Sequence, residues 1–300
     1  MGRMSGVECK GRQFGRAGLV VATCVLAGLG AAQVRVRAAE AGAPGGGSGA
    51  DVTMVGSAKD LVQRVLAVEG EELKHKGHYV YLSQERSERT GGHLWTERVA
   101  ETSVGKVRRL IAEDGQPLTG ERAAAEHARL MDIAADPEAF RRRSEALKND
   151  EQHAKEMLDL LPKAFLLEGM RQEGEFVRID YKPNPDFVPQ SMEQRVMHGM
   201  VGTMLVDAKA GHLHSLEGRL PADVNIGFGL LATIKAGSNF STMRDPVPGN
   251  EWKTSVMNTD ITGRAIFFKA IGKKQHAEHS AFVQVPMDIT VPQAVAMLEQ

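Results

Sequence analysis

Cysteine is almost absent from this chain of 300 residues, and aromatic residues are scarce. The only cysteines are Cys9 and Cys24, both near the N-terminus. If that N-terminal segment is removed, the remaining chain has no disulfide, no thiol nucleophile and no cysteine-ligated zinc. Aromatic residues make up only 5% of the chain, so few aromatic side chains are available to contact a ligand, and their positions are informative.

The net charge is small as well. With 37 basic and 38 acidic side chains, the formal net charge is −1. This balance excludes a broad basic face that neutralises nucleic-acid phosphates. Together with a hydrophobic content of 42%, it also excludes an intrinsically disordered chain. We therefore expect a globular protein with a sizeable core and no nucleic-acid partner.

Motifs of the common catalytic and cofactor sites are missing from the sequence. It has no Gly-x-Ser-x-Gly nucleophile elbow and no His-Glu-x-x-His zinc motif. The segment Gly227-Phe228-Gly229-Leu230-Leu231-Ala232 matches a dinucleotide-binding fingerprint. We expect a strand at this segment, whereas the phosphate site requires a turn from strand to helix. The sequence therefore predicts no enzyme activity and no cofactor.

Histidines supply the remaining candidates for a metal site. His212 and His214 are two residues apart, so they share one face of a strand. His276, Glu278 and His279 form a second group, in a segment that we expect to be a Lys-rich loop. Zinc needs at least three protein ligands, and the first pair supplies only two. We predict that these are surface histidines and that there is no metal site.

The N-terminus has the pattern of an export signal. Its charge-free run, Ala17–Ala32, is 16 residues long, whereas a membrane-spanning helix needs roughly 20 apolar residues. Small residues offer cleavage sites after Ala32 or after Ala41, and a retained membrane anchor is the alternative. Basic residues precede the run at Arg3, Lys10, Arg12 and Arg16. We predict a signal peptide over residues 1–41 and an exported protein of the periplasm or cell envelope.

The rest of the chain is predicted to be a Gly-rich linker over residues 42–57 and a single domain over residues 58–300. Residues 1–41 contain six basic and two acidic residues, so their removal changes the net charge from −1 to −5. A mildly acidic domain disfavours electrostatic docking on anionic lipid headgroups. Any lipid contact is therefore expected through an apolar concave face.

Hydrophobic periodicity predicts an α+β fold. Apolar residues at three- and four-residue steps predict a helix from Ala58 to near Gly77, a helical stretch from Leu118 to Leu161 with a break at Asp136-Pro137, and a short helix over Val291–Leu298. Alternating segments predict a strongly curved antiparallel sheet, a half-barrel of about ten strands, with the N-terminal helix and the helical insert packed on it. The predicted strands are His78–Arg89, His93–Thr102, Lys106–Glu113, Ala164–Glu173, Glu175–Tyr181, Val201–Asp207, His212–Leu220, Val224–Ala236, Phe240–Arg244, Trp252–Asp260, Arg264–Ile271 and Ala281–Val285.

The segment Asn225–Ile234 is the clearest predicted strand. Bulky residues alternate there with glycine and smaller residues, which predicts a bulky face turned towards a cavity or the core. The few aromatic residues of the meander are further candidates for a ligand groove, with core packing as the alternative. The residues predicted to bind a ligand are Tyr81, Trp95, Ile226, Phe228, Leu230 and Ile234.

The order of these elements resembles the periplasmic lipoprotein-carrier (LolA/LolB-like) family. The shared order is an export signal, an amphipathic helix, a three-stranded meander, a helical interlude and a longer antiparallel meander. The resemblance covers about Ala58–Val285. The segments Gly115-Gln116-Pro117-Leu118 and Tyr181-Lys182-Pro183-Asn184-Pro185 are also similar to those of exported bacterial proteins with that fold. The resemblance implies an open half-barrel whose concave face holds acyl chains beneath a lid of helices.

Two functions follow from this reading. The first is a non-catalytic periplasmic carrier, acting as a monomer, for a lipid, a lipoprotein acyl chain or another hydrophobic ligand. The alternative is a structural or protein-interaction module of the envelope, with an envelope protein as its partner and no ligand cavity. A hydrolase acting on envelope material is a third hypothesis, which no motif supports.

Overall fold

The structure is a computed structural model that describes residues 56–72, 76–265 and 269–300, with only the backbone described at residues 146–154 and 269. The predicted signal peptide lies outside the described residues. The same holds for the predicted linker except Gly56 and Ser57. Export, cleavage and the domain bounds therefore stay predictions.

Capping residues define where several helices begin. Ser57 Oγ accepts a hydrogen bond from Asp60 N (3.2 Å) at the start of the first helix. The side chain of Asp136 accepts one from Ala139 N (2.9 Å), which confirms the predicted break between two helices. The described helices are α1 (Ala58–Glu72), α2 (Gly120–Ala135), α3 (Pro137–Asp159), α4 (Leu161–Ala164), α5 (Met192–His198) and α6 (Val291–Glu299). Within the described ranges, none of these helices has both the length and the apolarity that a bilayer crossing requires.

The strands form one open antiparallel sheet, which confirms the predicted α+β fold with a curved sheet. Thirteen strands are present in the described residues, against about ten predicted. Their order is β4-β3-β2-β1-β13-β12-β11-β8-β7-β6-β5, with the β9–β10 hairpin attached to β12. The strands are β1 (His78–Arg86), β2 (Leu94–Thr102), β3 (Gly105–Glu113), β4 (Gln116–Pro117), β5 (Phe165–Glu173), β6 (Phe176–Pro183), β7 (Val201–Asp207), β8 (His212–Arg219), β9 (Val224–Ile226), β10 (Ala232–Ile234), β11 (Asn239–Val247), β12 (Glu251–Ala265) and β13 (Lys269–Val285).

Helices cover both faces of the sheet. Residues that pair directly across neighbouring strands lie on the same face of a sheet. One row of such residues crosses seven strands and consists of Glu85, Ala277, Met257, Thr242, Leu216, Met204 and Ile179. We call the face that carries this row the α1 face, because Leu61, Val62 and Val65 of α1 pack against its far strands. On the opposite face, α2 and α6 pack over Ala100 of β2 and Val107 of β3.

Near β1, β2 and β12, the α1 face is polar and charged, although the sequence predicted an apolar concave face. Lys253 is 2% exposed, and its Nζ lies 3.5 Å from Glu101 Oε2 and 3.3 Å from Glu251 Oε2. Arg89 Nη2 similarly lies 2.6 Å from Glu85 Oε2. Because each buried carboxylate has a cationic partner, these charges are retained inside the protein. This part of the sheet holds ion pairs and leaves little apolar lining for an acyl chain.

The predicted strand Asn225–Ile234 is wrong. The segment forms the short strands β9 and β10, joined by a tight turn over residues 227–231. Three successive turn residues, Gly227, Phe228 and Gly229, have φ of 58°, 56° and 80°. Glycine adopts this left-handed region without a steric penalty, so the glycines make a turn here.

Two smaller expectations about β13, which lies between β1 and β12, are also corrected. His276 and His279 lie on β13, in a regular ladder with β1 and β12, whereas a loop was predicted. The strand β13 includes the predicted strand Ala281–Val285, with a bulge at Ala281, where φ is 56°. The single strand predicted over Arg264–Ile271 is wrong, because Arg264 on β12 pairs with Ala270 on the antiparallel β13; residues 266–268 lie outside the described residues.

Candidate functional site

The structure brings four of the six predicted ligand-binding residues together at the β9–β10 hairpin. Ile226 and Ile234 are buried there in a cluster with Val196 of α5. Phe228 and Leu230 lie on the turn between the two strands and are 101% and 80% exposed. They do not line a concave sheet face, because the turn carries them away from the sheet.

An open cleft of about 860 Å³ lies between this turn and α5. We call it the hairpin cleft. Ile226 provides part of an apolar floor, because it packs in the same cluster as Val196 and Met200. The volume is within the range of small-molecule sites, about 300–1,000 Å³. The cleft is lined by Gln190, Ser191, Met192, Arg195, Asn225, Ile226, Gly227, Phe228 and Leu231.

Local hydrogen bonds fix both walls of the hairpin cleft. Ser191 caps α5, since its Oγ accepts a hydrogen bond from Gln194 N (3.2 Å). On the other wall, Thr233 Oγ1 donates to Asn225 Oδ1 (2.9 Å) across the hairpin. Arg195 of α5 brings a positive charge to the rim, and no described carboxylate forms an ion pair with it. The hairpin cleft thus combines an apolar floor, an exposed apolar turn and a cation.

Tyr81 is in a different environment, inside the α1 face. It is 3% exposed, and its ring stacks on Phe282 with a centroid distance of 4.9 Å. The ring also contacts His279 edge-on at 5.3 Å. Tyr81 is therefore a core residue and does not line a ligand groove. Core packing was the alternative that the sequence left open for the aromatic residues.

Trp95 lines a second cleft, of about 470 Å³, between the β2–β3 edge and α2. We call it the arginine cleft, since four guanidinium groups line it: those of Arg89, Arg108, Arg122 and Arg129. Each of the four is paired with a carboxylate of Glu85, Glu97, Glu113 or Glu126. Arg89 also lies 5.3 Å over the Trp95 ring. Because its charges neutralise one another, the arginine cleft offers no free cation, although Trp95, Leu110, Leu118 and Ala125 give it an apolar lining.

His279 lies beside two serines at the centre of the α1 face. It pairs with Ser83 of β1, and Ser255 of β12 lies one register step beyond the pair Val256–Glu278. Burial, with Arg108 nearby, lowers the pKa of His279 to about 3, so the ring is neutral. Ser83 Oγ, Ser255 Oγ and His279 Nδ1 are buried without a hydrogen-bond partner among the described residues. Both serines are 0% exposed, so a substrate has no access to them.

His212 is not a surface residue, which corrects the sequence-based expectation. It is 5% exposed and lies close to Glu69 and Glu72 of α1. These three residues form the one group within the described residues whose ligand atoms are close enough to share a metal ion. Sequence reasoning missed the group because the carboxylates lie on a helix far away along the chain.

The fold defines a class of protein: α+β, with an open, curved antiparallel sheet covered by helices on both faces. No family model, no curated protein and no solved structure matches this chain.

Proposed function

We propose that this protein is a non-catalytic carrier that binds a lipid or another acylated amphiphile in the hairpin cleft. The observation that carries the proposal is the full exposure of Phe228 at an open cleft, on a turn that also exposes Leu230. Large apolar side chains held in water on a tight turn favour a surface that is covered by a ligand or partner. The apolar cleft floor beside them favours a ligand with an aliphatic chain.

The energetics suit reversible binding. Burying a chain of about 14 methylene groups gains roughly 11 kcal/mol at about 0.8 kcal/mol each, against an association cost of about 4–15 kcal/mol. The hairpin cleft is open to solvent, so it buries only part of such a chain. Binding of weak to moderate strength is expected, as a carrier that releases its ligand requires.

Arg195 favours an anionic or polar headgroup on that ligand. Its guanidinium lies at the rim of the hairpin cleft, beside the hydroxyl of Ser191 and the amide of Asn225. A guanidinium binds carboxylate or phosphate oxygens in a bidentate geometry. A fatty acid or the acylated end of a lipoprotein has both parts, an aliphatic chain and a polar head.

The export signal and the resemblance to the lipoprotein-carrier family support the same proposal. A carrier of that kind works in the periplasm, as a monomer, and passes its ligand to other envelope components. The second candidate is an interaction module whose exposed turn docks on an envelope protein. The filled α1 face favours it, since the buried side chains there leave no ligand cavity.

Ligand uptake by delipidated protein separates these two functions. The purified protein is stripped of lipid, refolded and titrated with a fatty acid that carries an environment-sensitive fluorophore. We expect saturable uptake of one probe per chain and displacement by unlabelled fatty acid. The same fluorophore without an acyl chain is the control. A lack of saturable uptake would contradict the carrier function and leave the interaction module as the better account.

A further inference from the structure

The side chains of Glu69, Glu72 and His212 form a compact group where the last turn of α1 meets the start of β8. Glu69 and Glu72 are three residues apart on a helix, so they share one face of it. His212 Nδ1 lies 3.3 Å from Glu69 Oε1, and His212 Nε2 lies 3.3 Å from Glu72 Oε1. One ligand atom from each residue lies within 4.8 Å of the other two.

Either of these two separations, taken with the ring nitrogen that it involves, matches the distance between two ligands of a small metal ion. Zinc binds histidine nitrogen and carboxylate oxygen at about 2.0–2.2 Å, so two ligands at a tetrahedral angle lie about 3.3–3.5 Å apart. The observed 3.3 Å is long for a charged hydrogen bond, which is usually about 2.7–2.9 Å. One ring nitrogen can bind an ion while the other donates its proton to a carboxylate, as ligating histidines do.

The neighbouring groups leave ligand atoms free. Glu69 Oε1 accepts hydrogen bonds from Leu213 N (3.3 Å), His212 and Arg244. Within the described part of the chain, neither Glu69 Oε2 nor the second oxygen of Glu72 receives a hydrogen bond. Glu69 therefore has an oxygen atom to spare.

A second observation also indicates a ligand at this place. Arg244 is 3% exposed, and its Nε is buried with no hydrogen-bond partner among the described residues. A buried donor without an acceptor costs about 1–3 kcal/mol, so an additional oxygen atom beside Arg244 Nε would stabilise the protein. A hydrated ion would bring such an oxygen.

We infer that Glu69, Glu72 and His212 bind one divalent transition-metal ion of the zinc type, which fastens α1 to the sheet. The mixed nitrogen and oxygen ligands favour this class over Mg²⁺ and Ca²⁺, which prefer oxygen ligands alone. The ring of Trp252 stacks on His212 with a centroid distance of 5.1 Å, so it fixes the plane of the imidazole. The inferred site is independent of the hairpin cleft and of the function proposed there.

Trp252 also provides a local reporter of metal binding. The chain has two tryptophans, so the Trp95→Phe variant leaves Trp252 as its only tryptophan. The full chain, without a polyhistidine tag and stripped with a chelator, is titrated with Ni²⁺ in this background. We expect saturable quenching of Trp252 fluorescence, and Zn²⁺ titrated by calorimetry should bind with one equivalent per chain.

Ligand variants test which residues hold the ion. Glu72→Gln and His212→Gln should each weaken Zn²⁺ binding at least tenfold, since loss of even an outer-shell group costs about 10–100-fold. The matched control is His276→Gln, because His276 also faces a carboxylate, Glu278 at 3.2 Å. It should retain the full affinity.

Two further outcomes keep the test decisive. If His212→Gln does not fold, Glu72→Gln still tests the metal site. The Glu72 side chain is 35% exposed, so its replacement leaves no cavity in the core. Zn²⁺ should raise the melting temperature of the unmodified protein but not that of Glu72→Gln. The inference is overturned if no one-to-one binding occurs, or if Glu72→Gln and His276→Gln bind Zn²⁺ equally well.

Discussion

The exposed turn of the hairpin allows a sharp test of the proposed carrier function, because its apolar side chains contribute little to folding. Phe228 is 101% exposed and Leu230 is 80% exposed, so neither is buried in the free protein. Replacing them should change the free energy of unfolding by less than about 0.5 kcal/mol. Phe228 has a φ of 56°, so Phe228→Asn is the better choice there, since asparagine tolerates this conformation. Leu230→Ser completes the double variant.

The expected loss of affinity follows from the area that a ligand covers. Full burial of a Phe or Leu side chain gains about 1.5–3 kcal/mol. A ligand that fills the hairpin cleft and covers the adjoining turn would bury roughly half of each side chain, so the double variant should lose about 2 kcal/mol, or roughly 30-fold in affinity.

The fluorescent fatty-acid titration measures this loss, with urea unfolding as the check on stability. Met287→Ser is the control, because Met287 is 53% exposed and does not line the hairpin cleft. It should leave the affinity unchanged. Equal affinities for the double variant and the control would refute the assignment of the ligand to the hairpin cleft.

Further predictions concern stability. Lys253→Met leaves the buried Glu101 carboxylate with only Lys106, 3.7 Å away, as its cationic partner, and should cost up to about 3 kcal/mol in urea unfolding. Loss of the exposed pair of Lys155 should cost less than about 1 kcal/mol. The pKa of His279 is about 3, against an ordinary value of 6.5, so below pH 6.5 the unfolded chain binds a proton that the folded chain does not. The free energy of unfolding should therefore fall by about 2–3 kcal/mol between about pH 6 and pH 4. A His279→Gln variant should lack this part of the decrease. If the unmodified protein and the variant lose the same stability over this pH range, the lowered pKa of His279 is contradicted. Thr290→Ala removes the capping box of α6 and should lower the free energy of unfolding by about 1 kcal/mol. Thr119 begins α2 without a side-chain cap, so Thr119→Ala should change it by almost nothing. Equal changes in melting temperature for the two variants would contradict this role of the capping box.

Local sequence signals predict those parts of the fold whose structure is set by neighbouring residues. The first meander follows its alternating pattern, and Gly91 and Gly92 take positive φ in its first turn, where a hairpin was expected. The break at Asp136-Pro137 follows from the cap and the proline together. In each case, a few adjacent residues determine the backbone conformation.

The hairpin shows where the same reasoning fails. The alternating pattern of Asn225–Ile234 is compatible both with one long strand and with two short strands joined by a turn. Only the backbone at Gly227-Phe228-Gly229 decides, and period-2 alternation carries no information about its φ angles. Helix α5, the other wall of the hairpin cleft, was not predicted, although Ser191-Met192-Glu193-Gln194 has the capping-box spacing that signals a helix start.

The buried charges could not be predicted, because they depend on pairings across long stretches of chain. Glu97 on β2 has the pattern of a solvent-facing residue, yet it is 3% exposed and binds Arg89. His212 meets Glu69 and Glu72 only once α1 packs on the α1 face. Periodicity shows which residues share a face of one element, but not which elements meet.

The central claim is that the hairpin cleft holds an acyl chain. Photo-crosslinking tests this claim most directly. The delipidated protein is loaded with a fatty acid that carries a diazirine along its chain, irradiated and mapped by peptide mass spectrometry. We predict adducts in residues 190–195 and 226–231, and their loss when excess unlabelled fatty acid is present. Adducts confined to the arginine cleft or the α1 face, or no adducts that unlabelled fatty acid displaces, would contradict the account.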